Sequence, residues 1–246
     1  MAKTLVLQVN IRMQNTGKSK NTFSYVEELY STSQKSLRAY AKRNGFDYTT
    51  ITSDRRLPGY HPAFQRISLW HQDFKKYDNI IYADCDFVVH KLTPNIIEWT
   101  DKQSQTFFAC PDASAAPPLK WANAFNSGFF VIKRELIEKL RDKYEKYLEK
   151  HVKSPYKDQD MLNDMMHKEY RGYCTLSKHW NGTFAIVSPL FSAHYVAMAK
   201  EGWTKAKHDK WENQKLEKLR ALSKEEIIKR FTDHKDMGGR VKANRQ

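Results

Sequence analysis

The sequence predicts an α/β fold, a sheet covered by helices on both faces, followed by a basic helical tail. Three observations lead there. Short apolar, β-branched runs alternate with segments of helical periodicity from residue 4 to about residue 200. The strand candidates are apolar on successive residues rather than on alternate ones, as in strands buried on both faces. From residue 205 onward Lys, Arg, Glu and Asp dominate, with only a sparse apolar stripe, the composition of amphipathic helix.

The elements follow in order. Thr4-Leu-Val-Leu-Gln-Val-Asn10 is apolar and β-branched, a buried first strand. The polar stretch from Gln14 to Asn21 has the composition of a phosphate loop without its glycine spacing, and is expected to be a loop. Val26, Leu29, Tyr30, Leu37, Tyr40 and Ala41 fall at helical spacing, so 25–44 is a helix, stopped by Gly45. Residues 48–52 form a second strand and 62–77 a helix. Residues 79–89 form a third strand, apolar until it meets two aspartates. Residues 106–110 and 128–133 are further strands, 135–150 and 158–168 helices, and 185–187 a late strand. The tail reads as one or two helices, closed by Gly238-Gly239 and a basic end.

Bulk properties narrow the function. A chain of 246 residues suits one α/β domain with a tail. With 40% apolar residues, 13 Phe, 13 Tyr and 6 Trp, a full core is available and wholesale disorder is excluded. No stretch approaches the ~20 apolar residues of a membrane span. The first ten residues read as a strand and lack a small-residue cleavage site. Cys85, Cys110 and Cys174 are odd in number and widely spaced, which implies neither a zinc site nor a disulfide framework. A soluble, cytoplasmic enzyme is the simplest expectation. The net charge of +14 favours anionic partners without naming one.

Chemistry concentrates in Ile80-Ile-Tyr-Ala-Asp84-Cys-Asp86-Phe-Val-Val89. A buried strand delivers two carboxylates at i and i+2, which on an extended backbone face the same side. Such a pair can share a hard divalent cation, Mn2+ or Mg2+, that neutralises a departing diphosphate. Two other classes share parts of this pattern. An aspartyl-nucleophile phosphohydrolase also uses Asp-x-Asp, but after the first strand of its domain and with a later acidic pair following a strand. Here a strand-helix-strand-helix unit precedes Asp84, and the later acids, Asp158 and Asp160, begin a helix. A nucleic-acid binder could use the basic charge and the aromatics, but no recognised binding motif accompanies them, and no nucleic acid is expected as partner.

Six motifs occur in a familiar order. Phe64-Gln-Arg-Ile-Ser-Leu-Trp70 and Asp84-Cys-Asp86 come first, then Ala109-Cys-Pro-Asp112 and Phe125-Asn-Ser-Gly-Phe-Phe-Val131. Asp158-Gln-Asp-Met-Leu-Asn163 and His194-Tyr-Val-Ala-Met-Ala-Lys200 complete the series. From Leu5 to about Trp203 the chain resembles the glycogenin-like family of retaining glycosyltransferases, of small bacterial or viral type. The resemblance implies a GT-A fold, a Rossmann-like mixed sheet, over 1–203, with 204–246 as a basic amphipathic extension. It implies a nucleotide-sugar donor, a UDP-sugar, an unidentified glycan or protein acceptor, and retention.

It also implies roles. Asp84, Asp86 and His194 match the metal ligands, and a neutral imidazole completes a reasonable first-row set. Val9, Asn10, Arg66, Asp84, Cys85, Asn126, Ser127 and Lys200 match positions that contact the nucleotide sugar, with Lys200 a point charge on the diphosphate. Asp158 and Gln159 match the catalytic positions, either of them near the anomeric carbon; Asp158 is also a natural helix N-cap. Departures are Cys85 between the aspartates, Ala197 for the usual Gly, and Glu201-Gly202-Trp203 for Pro-Trp. The segment 205–246 holds 13 Lys or Arg against 7 Asp or Glu, a surplus of six. Its narrow stripe requires a partner surface, and its basic face suits peripheral contact with an anionic surface.

Overall fold

In the computed structural model the residues described are 2–11, 27–53, 57–58, 60–70, 74–112, 124–171, 173–177, 179–183, 192–194, 204–221 and 240–241. The first strand, β1 (Thr4–Val9), is buried over its whole length. Helix α1 (Glu27–Arg43) has acids in its first turn and bases in its last, matching its dipole. Gly45, at φ 70°, turns the chain into β2 (Asp47–Ile51). Strand β3 (Asn79–Asp84) lies parallel to β1, pairing Leu5 with Ile80 and Val9 with Asp84. Strands β5 (Phe107–Pro111) and β6 (Phe125–Lys133) add antiparallel pairing, and β7 (Tyr173–Thr175) and β10 (Arg240–Val241) extend the edge. The sheet order is β10-β7-β5-β6-β3-β1-β2, a mixed sheet as expected.

Alternation along the strands divides the core into two layers. Leu5, Leu7, Ile80, Tyr82, Phe130 and Ile132 face the segment 62–70 and the later helices. Val6, Ile81, Ala83, Phe129 and Val131 face Leu37 and Tyr40 of α1. Each fully buried Val, Leu, Ile or Phe among them contributes about 1.5–3 kcal/mol through burial. Asp84 follows the phase of Ile80 and Tyr82, which sends its carboxylate to the first layer.

Several expected elements differ in detail. The third strand is not continuous. It breaks at Cys85 and Asp86, which form a turn, and resumes as β4 (Phe87–Val89) in a second sheet of order β4-β9-β8, with β8 Gly182–Thr183 and β9 Ser192–His194. The two aspartates therefore do not share one face of an extended strand. The apolar content that suggested one strand serves two sheets. Residues 62–70 (Pro62–Trp70) are 3₁₀ helix rather than α, and 71–73 lie outside the described residues. The helix expected over 135–150 is two, α3 (Arg134–Leu140) and α4 (Tyr144–His151), parted by a turn at 141–143. Helix α5 (Asp158–Met165) runs into a π-helical turn, Met166–Tyr170. Between β4 and β5 the short α2 (Ile96–Thr100) is capped by Asn95, whose side chain accepts from the Ile97 amide. The tail supplies α6 (Lys205–Arg220). The strand expected at 185–187 and the loop at 14–21 lie outside the described residues.

Candidate active site

The carboxyl ends of β1 and β3, the start of β6 and the start of α5 converge on one buried cation. Arg66, 4% exposed, stands on the 3₁₀ segment Pro62–Trp70. Its Nη2 donates to Asp84 Oδ1 at 2.9 Å, its Nε meets Asp158 Oδ2 at 2.7 Å, and its Nη1 donates to the Ser127 carbonyl at 2.5 Å. The guanidinium lies over the Tyr82 ring, 4.4 Å from its centroid. Burial disfavours the Arg66 charge, but Asp158 and then Asp84 outweigh it and hold the group more firmly protonated than usual.

Asp84 also accepts from the Tyr82 hydroxyl at 2.8 Å. Burial pushes the Tyr82 phenol well up, so it stays a donor. Asp158, 4% exposed, is pushed up to about 7, chiefly by burial. Arg66 draws it back down, while Asp84 raises it further. The partners thus pull in opposite senses. The geometry supports an Asp158 that is elevated yet ionisable, because its carboxylate meets Arg66 directly and accepts from Ser127 Oγ at 3.3 Å.

Gln159 is fixed at both ends of its amide. Its Oε1 accepts from the Ser127 amide at 3.1 Å and its Nε2 donates to Asp112 Oδ2 at 2.8 Å. Asn126 Oδ1 accepts from the Gly128 amide at 2.9 Å and from Asn181 Nδ2 at 2.8 Å. Asn163, fully buried, accepts from the Phe125 amide at 2.9 Å and donates to the Phe125 carbonyl at 3.0 Å. That two-point clasp sets the register of α5 on β6, and so of Asp158 and Gln159 against Ser127. Lys157, at φ 53°, turns the chain immediately before α5. Asp158 is the first residue of the helix rather than its cap, and its carboxylate points to Arg66 instead of capping from outside.

Val9 and Asn10 end β1 beside this cluster, Val9 paired with Asp84 and the Asn10 amide bonded to the Ile51 carbonyl at 2.8 Å. Asp86 is 8% exposed in the turn after Asp84. Cys85 packs against the small core formed by Leu29, Tyr30, Val88 and Trp211. In β9, His194 pairs with Phe87, so its backbone lies one register step from Asp86. Two hard carboxylates at one turn, with an imidazole-bearing residue on the paired strand, fit a hard or borderline divalent cation in donor chemistry and backbone placement. Among the described residues no three His, Cys, Asp or Glu side chains gather at one point. The side chain of His194 falls outside that description, as does Lys200 with Ala197 and 201–203.

Sequence reasoning assigned no role to Tyr82, Asp112, Asn163 or Asn181. Three of these carried a signal: Tyr82 is two residues before Asp84 on one strand, and Asn163 is four after Gln159 on one helix, so each shares its neighbour's face, while Asp112 ends the motif Ala109-Cys-Pro-Asp112. Asn181 comes from a distant segment and carried none.

Comparison with known proteins gives the family and the fold. The model of glycosyl transferase family 8 matches residues 4–219. A glycogenin of Neurospora crassa is 33% identical over 100 residues, 35% of this chain but only 12% of that protein's length. A glycosyltransferase involved in glycosylation of the major capsid of PBCV-1 superposes with a TM-score of 0.58 at 13% identity, covering 86% of this chain and 99% of that one. The apo-form glycosyltransferase GlyE of Streptococcus pneumoniae gives 0.57 at 16% identity, covering 98% and 66%. The galactosyltransferase LgtC, in complex with donor and acceptor sugar analogs, gives 0.52 at 12% identity, covering 92% and 99%. At such identities these structures establish the shared fold.

Proposed function

The chain belongs to glycosyl transferase family 8, and from that premise we propose that it moves a sugar from a UDP-sugar to a glycan or protein acceptor, with a divalent metal and with retention at the anomeric carbon. It is a glycosyltransferase of the GT-A kind. The UDP donor and retention follow from the family resemblance alone; the placement of the site is supported by one observation, a buried arginine that ties the strand-end acid Asp84 to Asp158, the acid that opens α5.

Asp84, Asp86 and His194 would hold the cation, Mn2+ or Mg2+. Bound there, it would supply electrostatic stabilisation of the diphosphate leaving group. The protein residues do the positioning. Arg66 and Tyr82 fix the Asp84 carboxylate. Asn126, Ser127 and Arg66 would contact the donor sugar, Val9, Asn10 and Cys85 the nucleotide, and Lys200, outside the described residues, the diphosphate. Asp158 and Gln159 lie at the reacting face. Gln159, held by Ser127 and Asp112, presents an oriented amide, while Asp158 titrates near neutrality and can stabilise positive charge developing on the sugar. The catalytic unit proposed is 1–203, with 204–246 as an extension; of its described residues, α6 meets the domain through Trp211 and Arg240–Val241 pair with β7. No described helix is long and apolar enough to cross a membrane, and cytoplasmic work on an acceptor is part of the proposal. The later acids Asp158 and Asp160 open a helix instead of following a strand, which disfavours an aspartyl phosphohydrolase.

Calorimetry with UDP, GDP and CDP in the presence of Mn2+ tests the donor, and the anomeric configuration of a transferred sugar tests retention. The expected result is preferential UDP binding that EDTA abolishes. A clear preference for GDP, or binding indifferent to EDTA, overturns the donor and metal assignments.

A further inference from the structure

Helix α6 has almost nothing in common with a free basic tail. Lys205, Ala206, Lys207, Lys210, Asn213, Gln214, Glu217 and Arg220 are exposed, yet His208 and Trp211, three apart on one face, are each 4% exposed. The Trp211 ring closes a small core with Leu29 and Tyr30 of α1 and Val88 of β4, and the partly buried residue packed on that core is Cys85. The ring meets His208 at 5.6 Å between centroids, and His90, just past β4, edge-on at 6.1 Å. The indole therefore lies behind the turn that presents Asp84 and Asp86, and against the strand whose partner β9 carries His194.

This turn is where the sheet breaks. Cys85 and Asp86 belong to neither β3 nor β4, so no ladder on its own fixes the angle between the two acids. Ser33 supplies one support by donating to the Phe87 carbonyl at 2.6 Å. Trp211 supplies an apolar one from outside the catalytic sheet. We propose that Trp211 is a positioning residue for the donor-metal turn: α6 docks through it to hold Asp84-Cys85-Asp86 and β4 in the geometry that receives the nucleotide diphosphate and its cation. The proposal rests on the assignment of this turn as the donor-metal site. Small displacements at such a site weaken function steeply, by as much as ~100-fold for 1 Å, so a loosened turn costs donor affinity before it costs the fold.

The test compares wild type, Trp211→Ala, Trp211→Phe and Gln214→Ala, the last an exposed change on the same helix. Calorimetry measures UDP affinity with Mn2+, and steady-state donor hydrolysis separates KM from kcat. Hydrogen exchange follows the amides of Phe87, Val88 and Val89 against those of β1. Trp211→Ala should weaken UDP binding by about 10- to 100-fold, raise KM more than it lowers kcat, and speed exchange in β4 while β1 stays protected. Trp211→Phe should recover most of the affinity, and Gln214→Ala should match wild type. If Trp211→Ala fails to fold, Trp211→Leu makes the same comparison. Wild-type affinity in the Ala or Leu variant, or exchange that quickens equally in β1 and β4, overturns the proposal while leaving the donor site standing. A wild type that binds none of UDP, GDP or CDP with Mn2+ overturns the donor site and this inference together.

Discussion

Replacing Arg66 with Met should cost about 3–5 kcal/mol of stability, because it strips the acids Asp84 and Asp158 of the buried cation they share. The side chains of Arg66 and Asp158 are 4% and 5% exposed, so solvent screening gives little relief, although that of Asp84 at 25% recovers some hydration. For a domain of this size each kcal/mol moves Tm by about 2–4 °C, so a fall of roughly 6–20 °C is expected. The loss should also depend on pH. Burial already places the Asp158 carboxyl at about 7, against 3.8 for an ordinary one, with Arg66 pulling it down. Because the folded value is raised, its contribution to wild-type stability is fully present below 3.8 and is lost as pH rises through about 7. Without Arg66 the folded value rises further. Below about pH 7 Asp158 is protonated in both proteins and the deficit is smallest. Above it, wild type releases the proton while the variant retains it, and the deficit grows with pH. Thermal and urea unfolding between pH 6 and 9 read this directly, and Asp158→Asn in the Arg66→Met background should recover part of the loss at high pH. A deficit below about 1 kcal/mol, or one that does not change across that range, would refute the buried triad.

Asp86→Asn keeps the side-chain shape at an 8%-exposed position and removes the charge. Mn2+-dependent turnover should fall by more than the ~10- to 100-fold typical of outer-shell changes, with Tm nearly unchanged; wild-type turnover under EDTA would remove the metal from the mechanism. Asp164 is raised by burial, but Lys150, Lys168 and His151 together hold it at about 2. Asp164→Asn should therefore cost ~1–2 kcal/mol, discounted because Lys150 and Lys168 are half-exposed. That contribution is present above 3.8 and lost as pH falls through about 2, so equal Tm deficits at pH 2 and pH 6 would contradict it. Lys157→Gly relieves a backbone at φ 53° and should stabilise the fold by about 1 kcal/mol net of the freedom glycine gains when unfolded, read as a higher Tm; a lower Tm shows that the turn is not strained. If the exposed face of α6 recruits an anionic acceptor, Lys207→Glu with Lys210→Glu should weaken transfer at low salt and leave donor hydrolysis intact; equal transfer by both proteins at low salt denies the tail that role.

The sequence by itself determined the α/β architecture, the buried central strands and the order of the site motifs. Strand burial, helical periodicity and the Asp84-Cys85-Asp86 spacing are written locally, within a few residues of chain. Even the π-turned end of α5 and the division of 134–151 into α3 and α4 changed boundaries without changing layers. Three things were decided only by tertiary structure. The strand over 79–89 broke into two sheets, because apolar residues report burial and not the ladder they join. Arg66 became a buried tie between Asp84 and Asp158, a pairing across 18 residues in one direction and 92 in the other that no local pattern encodes. And the sparse stripe of the tail closed through Trp211 onto the turn that bears the two acids. In each case the deciding quantity is the free energy of bringing distant groups out of water together. That energy depends on which surfaces meet, and local sequence specifies the surfaces without specifying the meeting.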